Sequence, residues 1–145
     1  MSQRLTLELV TPEKVAWSAP ADFVVLPASE GEMGVLPGHQ SFLVQPAPGE
    51  VRVTDGKDVK RFAISGGFAE IKDDAISLFA ESAEAAEQID SERAKQALEK
   101  AKAETAKPGL DPMQLAQMEA SIRRAQVRLR VSRHGRSVPP HLEDR

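Results

Sequence analysis

Residues 29–42, SEGEMGVLPGHQSF, concentrate the polar side chains that could do chemistry. Glu32 and His39 are a carboxylate and an imidazole, which can serve as acid, base or hydrogen-bonding contact. No nucleophile accompanies them in a base-and-nucleophile pair. Met33, Val35 and Leu36 lie beside them and suit a contact surface. We interpret the stretch as a functional loop between two strands, with merely solvated turn residues as the alternative.

A second candidate site is Ile89-Asp90-Ser91-Glu92-Arg93-Ala94, which can be interpreted in two ways. As structure, Asp90 caps a helix and Ile89 packs back onto Ala94. As a ligand site, Arg93 pairs with a nucleotide phosphate while Asp90 accepts a hydrogen bond from ribose or base. Capping explains every residue except the choice of arginine, so it is the favoured interpretation.

A third candidate is a series of arginines near the C-terminal end of the chain. It comprises Arg123, Arg124, Arg128, Arg130, Arg133 and Arg136. The series is either a solvated helix face or an arm that seeks an acidic protein surface or a nucleic acid. Nucleic acid is the weaker choice, because the arm lacks aromatic residues and follows a net acidic module.

Several classes of function find no support in the sequence. The 145 residues contain no cysteine, and the phosphate-loop, HExxH and CxxC motifs are missing. Of the three histidines, two lie in the last twelve residues. No apolar run reaches the length of a membrane span, and the first residues have no signal-peptide core. We expect a soluble, cytosolic chain that is not catalytic by itself.

Two kinds of periodicity divide the chain. Through residue 82, short alternating runs separated by turn residues, such as LTLEL, predict eight to ten strands in a sandwich or flattened barrel. Gly66-Gly67 predicts a bulge or sharp corner within this part. Residues 1–89 carry 14 acidic and 7 basic residues, and residues 90–145 carry 8 and 12. The change from a net charge of −7 to +4 suggests two modules that meet different partners.

The second module reads as two helices joined by a short link, hence an antiparallel hairpin. Asp90 and Asp111 are the predicted N-caps. The predicted seam is formed by Ala94, Ala97, Leu98, Ala101 and Thr105 on the first helix and Leu115, Met118, Ile122, Ala125 and Leu129 on the second. Three alanine methyl groups contribute only about 2 kcal/mol, so the hairpin is expected to be held weakly and able to undock. A permanently docked hairpin is the alternative.

Four motifs occur in order at family-like spacing: SEGEMGVLPGH, ISGGFAEI, ISLFAESA and IDSERA. Together they resemble the epsilon subunit of the F-type ATP synthase over residues 3 to about 131. The resemblance implies an α+β chain with an N-terminal ten-stranded β-sandwich and a C-terminal antiparallel α-helical hairpin. The corresponding ranges are 1–84 for the sandwich and 85–132 for the hairpin. Residues 133–145 have no periodicity and are predicted to form a disordered tail.

The resemblance also implies partners. A subunit of this kind belongs to the central rotary stalk, with its sandwich on the gamma subunit and the c-ring, at the cytoplasmic face of the bacterial inner membrane. It inserts into no membrane and needs no cofactor. Glu32, Met33 and His39 match the family's contact positions for the gamma subunit and the c-ring. The proline that commonly follows the histidine of this motif is missing here, where the chain reads PGHQS.

Two further roles follow from the resemblance. In the family the hairpin can extend into the catalytic head of alpha and beta subunits and block ATP hydrolysis, a role that would fall to Arg123, Arg124 and Arg128. Some members bind ATP as a regulatory ligand, and the matching positions are Ile89, Asp90, Arg93 and Ala94. Lys100 replaces a further arginine of those members and lacks the guanidinium fork. A stand-alone ATP-sensing module and a nucleic-acid-binding protein are the alternatives.

Overall fold

The computed structural model describes residues 4–135. The chain divides into two compact units, one ending at Ala85 and the other beginning at Ala86. The first unit consists of β1 Leu5–Val10, β2 Val15–Ala21, β3 Phe23–Ala28, β4 Gly31–Val35, β5 Phe42–Val44, β6 Gly49–Asp55, β7 Asp58–Ile64, β8 Gly67–Lys72, β9 Ala75–Ala80 and β10 Ala83–Ala85. The second consists of a 3-10 turn Ala86–Gln88 and helices α1 Ser91–Thr105 and α2 Pro112–Gly135.

The ten strands form two five-stranded sheets. Sheet 1 has the order β2-β1-β9-β8-β5, and sheet 2 has the order β10-β7-β6-β3-β4. β1 runs parallel to β9, and the other strand pairs are antiparallel. The strands alternate as the sequence predicts: Leu5, Leu7 and Leu9 are fully buried while Thr6 and Glu8 are exposed. The predicted sandwich is confirmed.

Side chains from the inner faces of both sheets make one apolar core. Its fully buried large members include Leu5, Leu7, Leu9, Leu26, Val35, Val51, Ile71, Ile76 and Leu78. Trp17 lies at its margin, with its ring 5.7 Å from that of Phe62 and the Lys60 ammonium 4.8 Å over its face. The sandwich therefore has a core of its own, built with few aromatic residues.

The helices begin where the sequence predicts. The Asp90 carboxylate accepts a hydrogen bond of 3.1 Å from the Arg93 amide, which caps α1. At α2 the Gln114 amide donates to Asp111 at 2.8 Å, and the Asp111 amide donates to the Gln114 side chain at 3.2 Å. This reciprocal pair is a capping box. α2 packs against α1 and contacts the 3-10 turn before it, so the helices form the predicted antiparallel hairpin.

The buried residues of the hairpin differ from the predicted seam. Ala97 and Leu115 are exposed, whereas Val127 and Val131 are buried. α2 has 24 residues and α1 has 15, so α2 is longer by about 14 Å and part of it has no α1 residue opposite. Of the five residues predicted for the seam on α2, Ala125 is buried and Met118, Ile122 and Leu129 are half-buried, so Leu115 is the exception.

The second helix also ends later than predicted. It continues to Gly135, so residues 133–135, which the sequence assigned to an irregular tail, are helical. Ser132 within this last turn is 1% exposed. The rest of the predicted tail lies outside the described residues.

Candidate functional site

The predicted loop of residues 29–42 is not one loop. Its middle forms β4, Gly31–Val35, which pairs with β3 at the edge of sheet 2. Two of its five residues are glycines and only one is β-branched, a composition in which the strand signal is weak. The prediction of one continuous loop was therefore wrong, and the candidate residues are distributed along an edge strand and the turn that follows it.

The faces of β4 separate Glu32 from Met33. Met33 lies opposite Leu26 and is half-buried against the core. Val35, two residues further along the same face, is fully buried in the core. Because side chains alternate along a strand, Glu32 lies on the outer face of sheet 2. Glu32 is exposed, and Met33 supports the strand from within.

The Glu32 carboxylate is held by an arginine that the sequence did not single out. The two terminal nitrogens of Arg52 donate to its two oxygens at 2.9 and 2.8 Å, a bidentate ion pair. The hydrogen bond to Glu32 raises the pKa of the Arg52 guanidinium, against the lowering effect of burial. Arg52 lies on β6 and reaches Glu32 across β3, so only the strand order reveals the pair.

His39 belongs to the turn after β4. Its amide donates to the Leu36 carbonyl at 3.2 Å, and its Nδ1 lies 2.7 Å from the Gln40 carbonyl. The neighbouring Gly38 amide donates to the Asp74 carboxylate at 2.7 Å. Asp74, in the β8–β9 turn, therefore fixes the segment that carries His39.

Glu32 and His39 are consequently not brought together. Glu32 is the second residue of β4, and His39 follows four residues after its end. At a strand rise of about 3.3 Å per residue, Glu32 lies roughly 10 Å along the strand from Val35. The two residues can act as separate contacts on one edge of the sandwich, and no acid–base pair is formed.

Replacing Asp74 with alanine is expected to loosen the His39 turn. Asp73 and Asp74 have positive φ angles of 51° and 61°, which alanine tolerates poorly. Asp74→Ala also removes the acceptor for the Gly38 amide, and the combined loss is about 1–2 kcal/mol. Hydrogen exchange at Gly38 should accelerate. Asp74→Asn keeps an acceptor and tolerates this backbone conformation, so it is the control; unchanged exchange in Asp74→Ala would contradict the role of Asp74.

The predicted nucleotide-site residues have mainly structural environments. Ile89 and Ala94 are buried, and the Asp90 carboxylate caps α1. Arg93 is exposed, and so is Lys100. The capping interpretation of this motif is confirmed by the geometry of Asp90.

Two of the three arginines predicted to contact the catalytic head lie on the surface of α2. Arg123 and Arg124 are exposed, and Arg124 donates to the Ser121 hydroxyl at 3.0 Å. Arg128 is half-buried. Exposed arginines therefore run from the middle of α2 to its last turn, at Arg123, Arg124, Arg130 and Arg133.

A surface that the sequence analysis missed lies on the outer face of sheet 1. Val10, Phe79 and Phe68 face one another across β1, β9 and β8. We call these three residues the apolar row. Phe68 is 45% exposed and Phe79 is 47% exposed. Their position, out of phase with the buried residues of their own strands, was the signal available in the sequence.

The apolar row borders a groove of about 380 Å³. The groove is lined by Val10, Thr11, Pro12, Gly67, Phe68, Phe79, Ala80 and Glu81. The next row on the same face carries Glu8 and Glu70, each two residues from a member of the apolar row. Exposed aromatic residues beside acidic ones are typical of protein–protein interfaces with a polar rim.

Neither a metal centre nor a membrane helix occurs in the described part of the chain. Residues 4–135 contain no group of three or more histidine, aspartate or glutamate side chains placed to hold a metal ion. None of the described helices is long and apolar enough to cross a membrane.

Comparison with known proteins identifies the class. Residues 4–86 match the family model described as the ATP synthase, Delta/Epsilon chain, beta-sandwich domain, and residues 87–133 match the long alpha-helix domain of the same chain. The chain therefore belongs to the ATP synthase delta/epsilon chain family.

Its relatives make the assignment more specific. An ATP synthase epsilon chain of Dehalococcoides mccartyi is 40% identical over 94% of this chain and 97% of the relative. One of Syntrophobacter fumaroxidans is 41% identical over 91% and 98%. The predicted resemblance to the epsilon subunit is confirmed.

Solved structures agree with this assignment. A chain of the Euglena gracilis mitochondrial ATP synthase, solved with OSCP, F1 and the c-ring, superposes with a TM-score of 0.76 at 30% identity. The superposition covers 87% of this chain and 79% of that one. A chain of the Tetrahymena thermophila central stalk and c-ring superposes at 0.61 over 90% and 98%, and at 14% identity it supports the fold alone.

Proposed function

We propose that this chain is a non-catalytic rotor subunit in the central stalk of a bacterial F-type ATP synthase. In this role it couples proton-driven rotation of the c-ring to ATP synthesis in the catalytic head of alpha and beta subunits. It is peripheral, at the cytoplasmic face of the inner membrane. The chemistry belongs to the partners, and this chain transmits torque through its contacts.

The observation that carries the proposal is the apolar row. Two phenylalanines side by side and about half-exposed form a surface that a stable subunit would bury against another protein. We assign the gamma subunit as the occupant, because the sandwich must turn with the rotor. The flanking Glu8 and Glu70 suit a basic rim on that partner.

The edge formed by β4 and the following turn is the proposed contact with the c-ring and the base of the gamma subunit. Glu32 and His39 supply exposed and half-exposed polar groups there. Met33 supports the strand from the core side. Since Glu32 lies within β4 and His39 lies in the turn that follows it, the two residues contact different parts of the partner surface.

The hairpin is the proposed regulatory arm. When α2 extends into the catalytic head, Arg123, Arg124 and Arg128 contact acidic surface there and hinder ATP hydrolysis. The exposure of Arg123 and Arg124 supports this role. Nucleotide binding at Asp90 and Arg93 is not part of the proposal, because the Asp90 carboxylate is used in capping α1.

The double variant Phe68→Ser, Phe79→Ser is expected to weaken binding of the gamma subunit at least about tenfold, since buried aromatic residues are frequent interface hot spots. The measurement is co-elution and titration of the purified chain with the gamma subunit. Val59→Ser is the control, because Val59 is also 47% exposed but lies on sheet 2. Full affinity of the double variant would contradict this surface, and a wild-type chain that never joins the complex would contradict the function.

A further inference from the structure

Four charged side chains form a chain across the outer face of sheet 2. Glu32 on β4 pairs with Arg52 on β6, and Arg52 also donates to Glu50 at 3.4 Å. Arg61 on β7 donates to the same Glu50 oxygen at 3.0 Å. We call Glu32, Arg52, Glu50 and Arg61 the charge chain. Its formal charges alternate in sign and sum to zero.

Glu50, which lies between the two arginines of the charge chain, is fixed in position. The Glu50 side chain is only 6% exposed and lies between two guanidinium groups. A carboxylate buried in this way is tolerated because both arginines compensate it. The buried Glu50 carboxylate therefore restricts the position of the Arg52 guanidinium.

The outer end spans an intervening strand. Val25 on β3 lies opposite both Arg52 and Gly34, so β3 separates the Arg52 backbone from β4. Two strand spacings amount to about 9.6 Å, which a long side chain with a planar fork can bridge. The fork then fixes both oxygens of Glu32 at once.

We propose that Arg52 is a positioning residue that orients the Glu32 carboxylate for its partner subunit. This inference rests on the proposed function, in which Glu32 is a contact to the c-ring or the base of the gamma subunit. An already ion-paired carboxylate accepts hydrogen bonds from neutral polar donors and does not require a lysine or arginine opposite. The partner surface at Glu32 is therefore expected to present backbone amides or hydroxyl groups.

The advantage to binding is pre-organisation. A glutamate with fixed rotamers loses less conformational freedom on association than a free one. Without Arg52 the carboxylate loses this bidentate ion pair. We expect Arg52→Gln to weaken association with the partner about tenfold.

The test is a double-mutant cycle on the full chain assembled with the gamma subunit and c-ring. Wild type, Arg52→Gln, Glu32→Gln and the double variant are compared for association, with thermal unfolding of each free chain measured in parallel. Each single variant is expected to lose about tenfold in affinity, and the double variant no more than either one. Arg52→Lys, which keeps the charge and lacks the fork, should recover only part of the loss.

Arg61→Gln is the matched control. Arg61 shares Glu50 with Arg52 but makes no ion pair with Glu32 in the described structure. It should lower the stability of the free chain and leave association unchanged. A weakening equal to that of Arg52→Gln would show a merely structural role and overturn the inference.

Other outcomes also decide the question. If the fold-losses in affinity of the two single variants multiply in the double variant, Arg52 does not act through Glu32. An unchanged affinity of Glu32→Gln would remove Glu32 as a contact and the inference with it, while the stalk role of the chain would survive. Failure of the wild-type chain to assemble is the separate result that contradicts the proposed function.

Discussion

Truncation of the chain after Ala85 is expected to raise ATP hydrolysis by the assembled complex roughly twofold or more. A twofold increase is expected if the hairpin inhibits about half of the complexes that contain the full chain. Assembly should be preserved, because the ten strands and their core end at Ala85. The position of the cut matters. A stop after Ser82 would also remove β10, which pairs with β7.

The physical reason for a releasable arm lies in the small side chains of α1. Within this helix the buried residues are Ala94 and Ala101. At about 0.8 kcal/mol per methyl-sized group, they contribute less than about 2 kcal/mol to packing. A hairpin with so little burial on its first helix can change conformation when a partner offers a modest difference in affinity.

Two charge-matched double variants distinguish inhibition by the α2 arginines from general effects of the hairpin. Arg123→Gln with Arg124→Gln neutralises two exposed residues of α2, and Lys100→Gln with Lys102→Gln neutralises two exposed residues of α1. Only the α2 pair should raise hydrolysis. Hydrolysis rates that stay unchanged after truncation would mean that the hairpin is not inhibitory in this chain.

The architecture could be predicted because its signals are local. Alternation in Leu5, Leu7 and Leu9 gives a half-buried strand, and Asp90 and Asp111 mark the helix starts. Such patterns depend on residues within a few positions of one another, so a single sequence contains them.

The details of the candidate site could not be predicted because they depend on strand order. Arg52 meets Glu32 only because β3 lies between β6 and β4, and the apolar row forms only because β9 lies between β1 and β8. β4 itself was missed because glycines at two of its five positions resemble a loop. Non-local pairing therefore decided where the candidate residues lie.

Replacing Gly67 with alanine is expected to destabilise the sandwich by about 3–5 kcal/mol, the largest effect of any single substitution proposed for this chain. Gly67 opens β8 at a φ of 155° and lies directly opposite Ala80 on β9. A β-carbon there would lie 2.0 Å from the Phe79 carbonyl oxygen and 2.9 Å from the Ala80 Cα. Both atoms are backbone, so no rotamer change relieves the overlap, and β8 and β9 must move apart.

Gly31 provides the control for the backbone conformation alone. Its φ is 139°, similarly unfavourable for alanine, but a β-carbon there would meet no atom within 4 Å. Gly31→Ala should therefore cost only about 1 kcal/mol, as measured by urea unfolding of the full chain. Since Gly67 adjoins Phe68 and its steric conflict is with Phe79, Gly67→Ala should also disturb the apolar row and weaken binding of the gamma subunit. Equal losses of stability in the two variants would mean that β9 moves away from the new β-carbon at little energetic cost. The unfavourable backbone conformation would then account for the whole loss.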